Sequence, residues 1–182
     1  MSHLTLQAVA GFALVTADLA RLVQFYRDVL GFMVHGPVTP IDPSEMALLG
    51  VSGAGRRHML SLGDQILWID QFEQAGRAYP ADSDAASLWF QHLTLVVDDI
   101  HGAYGRLRDI TPISHGGPQL LPASSGGVQA FKFRDPDGHP LELLHFPDRK
   151  TPGAWRDRRR LEGQIGLDID HSAISVADAE AS

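Results

Sequence analysis

Between Asp18 and Gly31 the apolar residues Leu19, Leu22, Val23, Tyr26, Val29 and Leu30 recur at steps of three and four. That spacing predicts an amphipathic helix with one buried face. Asp18 stands where an N-terminal cap belongs, and Gly31 where a left-handed C-terminal cap belongs. The preceding run Gly11-Phe12-Ala13-Leu14-Val15 reads as a strand. The same order returns at His92-Leu93-Thr94-Leu95-Val96, which leads through Asp98 and Asp99 into Ile100, Ala103, Tyr104 and Leu107. This second helix is shorter and is weakened by Gly102 and Gly105. A third start, His171-Ser172-Ala173-Ile174-Ser175-Val176, again ends on an aspartate, Asp178. The chain is therefore built on a repeat, which sets the architecture before any other signal is weighed.

The rest of each copy reads as strands: 32–36, 58–62 and 65–69 in the first, 129–133 and 141–145 in the second. Gly63-Asp64 supplies a tight turn between two of them, and Asp135-Pro136-Asp137-Gly138 another. The expected division is a first βαβββ module over 1–74, a linker over 75–88, a second module over 89–147, a connector over 148–165 and the start of a third module over 166–182. The segment from Ser114 through Gly127 is rich enough in glycine to act as a lid or as a plain surface loop.

Composition narrows the chemistry. The 182 residues contain no cysteine, so disulfides and thiolate ligands are excluded and any metal must use nitrogen and oxygen donors. A formal charge of −7 has the wrong sign for a nucleic-acid binder. No run of about 18 apolar residues is present to form a membrane span, and Met1-Ser2-His3-Leu4 lacks the layout of a signal peptide. The expectation is a cytoplasmic protein with a small-molecule ligand and with neither nucleic acid nor membrane as partner. Of the basic cluster near 150–160, Lys150 and the arginines around Trp155 read as a solvated connector more readily than as an anion site.

The repeat, the motif Phe25-Tyr26-Arg27-Asp28-Val29-Leu30-Gly31-Phe32 and the motif Phe133-Arg134-Asp135-Pro136-Asp137-Gly138-His139-Pro140-Leu141-Glu142-Leu143 together resemble the vicinal oxygen chelate superfamily. Its members include glyoxalase I, bleomycin resistance proteins and extradiol dioxygenases. The resemblance covers about residues 8–147 and restarts near 166. It implies an α+β fold of paired βαβββ modules whose curved sheets form an open barrel-like cavity, with metal ligands on the first and last strand of each module. Carried over, those positions fall on His92 and Glu142 in the second module and on Gly11 and Trp68 in the first, where neither residue can bind a metal. A two-residue slip at Trp68 would bring Asp70 to the cavity instead, since the two share strand parity.

Imidazole and carboxylate suit Fe2+, Mn2+, Ni2+ or Zn2+, but two protein ligands are few for a catalytic ion. His171 occupies the matching position of the third copy and is a candidate third ligand. In four-module extradiol members the ligands lie in the second pair of modules, so nothing in the resemblance obliges His171 to join His92 and Glu142. Trp68, Phe131, Phe133 and His115 are the expected pocket residues, with Trp68 either core or a platform for a flat ligand. His139 and His145 are read as solvent-side, and His35 and His58 as strand residues whose facing is open.

The resemblance implies a divalent-metal-dependent lyase, isomerase or dioxygenase acting on a small oxygenated substrate. Two alternatives accompany it: a metal-free binding protein of the bleomycin-resistance kind, and the non-catalytic N-terminal half of an extradiol-type enzyme. A lone third-copy strand is not stable by itself, so the expectation is a longer four-module protein or a strand exchanged with a partner chain. A homodimer is left open.

Overall fold

The computed structural model describes residues 9–84, 86–89, 91–147 and 152–181, apart from the side chains of Ala154 and Arg156. Met1–Leu4 and Lys150, discussed above, lie outside the described residues. In the first copy β1 (Phe12–Val15) leads into α1 (Leu19–Asp28), followed by β2 (Met33–Pro40), α2 (Pro43–Leu48), β3 (Gly55–Leu62) and β4 (Gln65–Phe72). The second copy runs β5 (Gln91–Val96), α3 (Ile100–Arg106), the short β6 (Thr111–Pro112) and β7 (Gln119–Leu120), then β8 (Gln129–Arg134) and β9 (Pro140–His145). A one-turn helix α4 (Gly153–Arg156) precedes β10 (Asp168–Ile174).

The strands form two sheets, ordered β1-β4-β3-β2 and β10-β5-β9-β8-β6, with β7 also paired to β8. Among the described residues they are not closed into a barrel. In each copy the first strand runs parallel to the last, β1 on β4 and β5 on β9. The intervening helix makes that return connection possible.

Both helices begin as their sequence predicts. The Asp18 side chain accepts a hydrogen bond from the Arg21 amide at 3.1 Å, and Asp99 does the same for Gly102 at 2.9 Å. Gly31 takes φ +78°, and a Cβ there would lie 2.4 Å from the Cα of Gln164, so both conformation and packing require glycine. Leu19, Leu22, Val23 and Tyr26 of α1 are buried in one continuous core with Ile100 and Ala103 of α3 and the inward rows of both sheets. The helix α2 was not legible in the sequence pattern: six residues are too few to show a period, and it rests on the Asp42 cap and Pro43 in its first turn.

Two expectations need correction here. The strand from the third copy does not stand alone; β10 lies antiparallel on β5 of the same chain, as the edge of the second sheet. The connector is tied down by Arg158, which reaches Asp64 and, at 3.2 Å, Asp168, and by Arg160, which pairs with Asp98 at 2.8 Å. Burial pushes the Asp168 carboxyl above its ordinary value.

His139, expected at the solvent side, is instead only 13% exposed and donates from Nδ1 to Asp135 at 2.8 Å. Burial works against its charge, but the hydrogen bond and charge of Asp135, with Asp137 and the Val15 carbonyl, raise its pKa above that of an ordinary histidine. A raised folded-state pKa stabilises the protein fully below the unfolded value of about 6.5, and that contribution fades as pH climbs through the folded value. Denaturant unfolding should therefore show stability falling on the alkaline side of pH 6.5. His139→Gln should flatten the decline; an unchanged slope would show that this imidazole does not cause it.

Candidate metal centre

Strand alternation and register build the site. On β5 the odd residues Leu93 and Leu95 enter the core, which turns His92 and Thr94 to the other face. Thr94 stands opposite Glu142 on β9, Glu142 opposite Lys132 on β8, and β10 brings His171 opposite Thr94. Four strands thus present His92, Thr94, Glu142, Lys132 and His171 as one polar group on a sheet whose reverse face is apolar.

Glu142 is at the bottom of this group, its side chain 7% exposed, while His171 at the sheet edge is 41% exposed. Glu142 Oε2 lies 3.2 Å from His92 Nε2 and accepts from the Thr94 hydroxyl at 3.0 Å. Thr94 Oγ1 is also 3.1 Å from His171 Nε2. The other carboxylate oxygen, Oε1, accepts from the Lys132 ammonium. Burial alone would raise the Glu142 pKa, but hydrogen bonds from His92 and Lys132 and their charges outweigh it and hold the carboxyl at about 2. His171 Nδ1 pairs with Asp170 at 2.6 Å, leaving Nε2 turned toward Thr94.

One donor atom from each of His92, Glu142 and His171 lies within 4.8 Å of the others. Bonds of about 2.0–2.2 Å to one ion need donors roughly 3–4 Å apart, so this triplet fits a single cation after small side-chain rotations. Two imidazoles and a carboxylate form a donor set for a borderline divalent ion, with coordination positions left for a ligand.

The other sequence candidates are elsewhere. Phe131 and Phe133 are opposite Leu143 and Leu141 and are fully buried in the core, facing away from the polar group. Phe131 instead lines a separate hollow of about 330 Å³ with Tyr104, Leu107 and Ile110, on the α3 side. His115 is exposed and its carbonyl accepts from Gln119. His145 contacts the Val97 carbonyl, His58 that of Gly36, and His35 the Ser61 hydroxyl.

In the first sheet the register matches the second: Ala13 opposes Trp68 as Thr94 opposes Glu142. Gly11 and Trp68 are thus the true counterparts of His92 and Glu142. The Arg57 guanidinium lies 5.3 Å from the centre of the Trp68 ring. Asp70 does share the Trp68 face, but Arg57 holds it through two hydrogen bonds of 2.7 Å. A Cβ on Gly11 would sit 2.8 Å from the Ile66 carbonyl oxygen and 3.0 Å from the Trp68 ring. Gly11→Ala should therefore cost about 1–3 kcal/mol by overpacking, read as a lower urea midpoint. A neutral result would mean the Trp68 ring moves freely.

Residues 5–143 match the family model described as Glyoxalase/Bleomycin resistance protein/Dioxygenase superfamily. The chain belongs to this superfamily. Solved structures agree. A glyoxalase family protein from Enterococcus faecalis is 25% identical, with a TM-score of 0.54 over 76% of this chain and 97% of that one. One from Bacillus cereus is 15% identical, with a TM-score of 0.59 over 80% and 97%. A glyoxylase/bleomycin resistance protein/dioxygenase domain from Frankia sp. EAN1pec is 16% identical, with a TM-score of 0.54 over 79% and 100%. Among curated proteins none matches. The superfamily stretch contains His92 and Glu142 and ends before β10, so His171 is an addition beyond it. No helix among the described residues is long and apolar enough to cross a membrane.

Sequence reasoning missed Thr94, Lys132 and Asp170. For Lys132 a signal existed: a cation set between two aromatic residues, Phe131 and Phe133. Thr94 and Asp170 carry no signal of their own and become visible only through the pairing of β5 with β9 and β10.

Proposed function

We propose that this superfamily member binds one divalent ion, Fe2+, Mn2+, Ni2+ or Zn2+, through His92, Glu142 and His171, and acts on a small oxygenated substrate as a lyase, isomerase or dioxygenase. The observation that carries this reading is the convergence of the three donors from β5, β9 and β10 within 4.8 Å of one another. A bound ion would supply a Lewis acid to which two neighbouring substrate oxygens can coordinate. The protein groups have separable roles. Asp170 orients the His171 ring through Nδ1, the kind of outer carboxylate that fixes ligating histidines. Thr94 links Glu142 to His171 and fixes their relative placement. Lys132 occupies the carboxylate oxygen turned away from His92, leaving Oε2 on the side of the two imidazoles.

A second reading, a metal-free binding protein, is favoured by one observation: Lys132 already compensates the buried Glu142 charge without any ion. Titration with Ni2+ followed by calorimetry, paired with elemental analysis of protein purified without chelator, separates the two. About one equivalent per chain supports the metalloprotein. No uptake after reloading moves the assignment to the metal-free protein.

A further inference from the structure

We infer that Lys132 makes this site selective for a small carboxylate bearing an oxygen on the neighbouring carbon, such as a 2-oxo or 2-hydroxy acid; this rests on the metal-site reading above. The first sheet provides an internal comparison. There Met59 opposes Trp68 at the register position where Lys132 opposes Glu142. An apolar pair therefore satisfies the fold at this position, and a lysine paired to a glutamate is a feature of the second sheet alone.

A lysine buried to 24% exposure is expensive, since its ammonium is strongly hydrated in water. One of its three N–H groups goes to Glu142 Oε1, and Glu142 is its sole side-chain acceptor among the described residues. Two donors remain for a ligand. The charges around the site do not cancel once an ion is present. A divalent cation and Lys132 bring three positive charges against the carboxylates of Glu142 and Asp170, with both imidazoles neutral as ligands. One positive charge is left over in a half-buried site, where screening is weak. An anionic chelator offsets that excess and takes a charge-assisted ammonium hydrogen bond, whereas a neutral diol or hydroxyketone leaves the excess charge in place. At the sheet edge His171 reaches the surface, and the short side chain of Ala173 stands opposite His92.

The test uses the full chain loaded with Co2+, whose visible spectrum reports a change of ligands. Oxalate serves as the anionic probe and acetoin as a neutral one. Lys132→Met, borrowing the residue of the first sheet, should weaken oxalate roughly tenfold or more relative to acetoin, the worth of a charge-assisted hydrogen bond. Lys132→Arg should retain most of the oxalate affinity. Should Lys132→Met fail to fold, Lys132→Gln keeps a donor to Glu142 without the charge and should show the same selective loss. Oxalate affinity that is unchanged in the uncharged variants, or an equal loss for acetoin, overturns the inference while the metal centre stands. Failure of the parent protein to take up Co2+ overturns the metal reading and this inference with it.

Discussion

Exchanging His171 for alanine should lower Ni2+ affinity on the order of 100-fold or more while the fold persists, because the side chain lies on an edge strand and is 41% exposed. His92→Ala should do at least as much, since its Nε2 is 3.2 Å from the carboxylate oxygen that an ion would share. For the third ligand the informative change is Glu142→Gln, which keeps the volume and an acceptor for Lys132. Glu142→Ala would leave the Lys132 ammonium without its counter-charge and mix a stability loss into the binding result. Asp170→Asn should lower affinity more modestly, by roughly 10- to 100-fold, because it acts through the orientation of His171. Calorimetric titration of the four variants, with circular dichroism to confirm folding, checks the assignment. Parent-like affinity in all the ligand variants would remove the centre from these residues.

The largest expected loss of stability lies elsewhere, at Asp135. Its side chain is fully shielded and accepts four hydrogen bonds: from the Asp137 and His139 amides at 2.9 Å each, from His139 Nδ1 at 2.8 Å and from the Tyr26 hydroxyl at 3.3 Å. Tyr26 is on α1, so this carboxylate fastens the second module's turn to the first module's helix. Burial, then the charge of Asp135, pushes the Tyr26 pKa well above its ordinary value, so the hydroxyl is retained as a donor. Asp135→Ala leaves a buried imidazole and a buried phenol without their acceptor and should cost about 3–5 kcal/mol. That is a large share of a typical domain's 5–15 kcal/mol, and urea unfolding measures it directly. A loss below about 1 kcal/mol would show that these groups find other partners.

The local signals in the sequence translated well into structure because they are local. Asp18 and Asp99 cap helices, Gly31 takes a left-handed backbone, and Gly63-Asp64 closes a hairpin. The equivalence of Gly11 with His92 and of Trp68 with Glu142 also holds in the observed registers, since a repeat carries its own alignment. What the sequence did not disclose is pairing across the sheet. Closing the β8–β9 ladder at Arg134 and His139 would put Phe131 opposite Glu142 and turn the phenylalanines toward the site. The observed ladder closes one residue later, at Arg134 and Pro140, and so places Lys132 there. A slip of one residue exchanges the two faces of a strand, which is why two expected pocket residues are core and an unremarked lysine is at the site. The placement of His171 is non-local in the same sense: nothing in residues 168–174 names β5 as their partner.

Among the described residues β10 is held by a ladder on one side alone, to β5. Strands of this kind open at a lower free energy than those in the middle of a sheet. A bound ion with two donors on interior strands and the third on β10 would therefore have a lifetime tied to the fraying of that strand. Amide exchange along 171–174 and the rate of ion loss to a chelator should then rise and fall together, and independent rates would uncouple them.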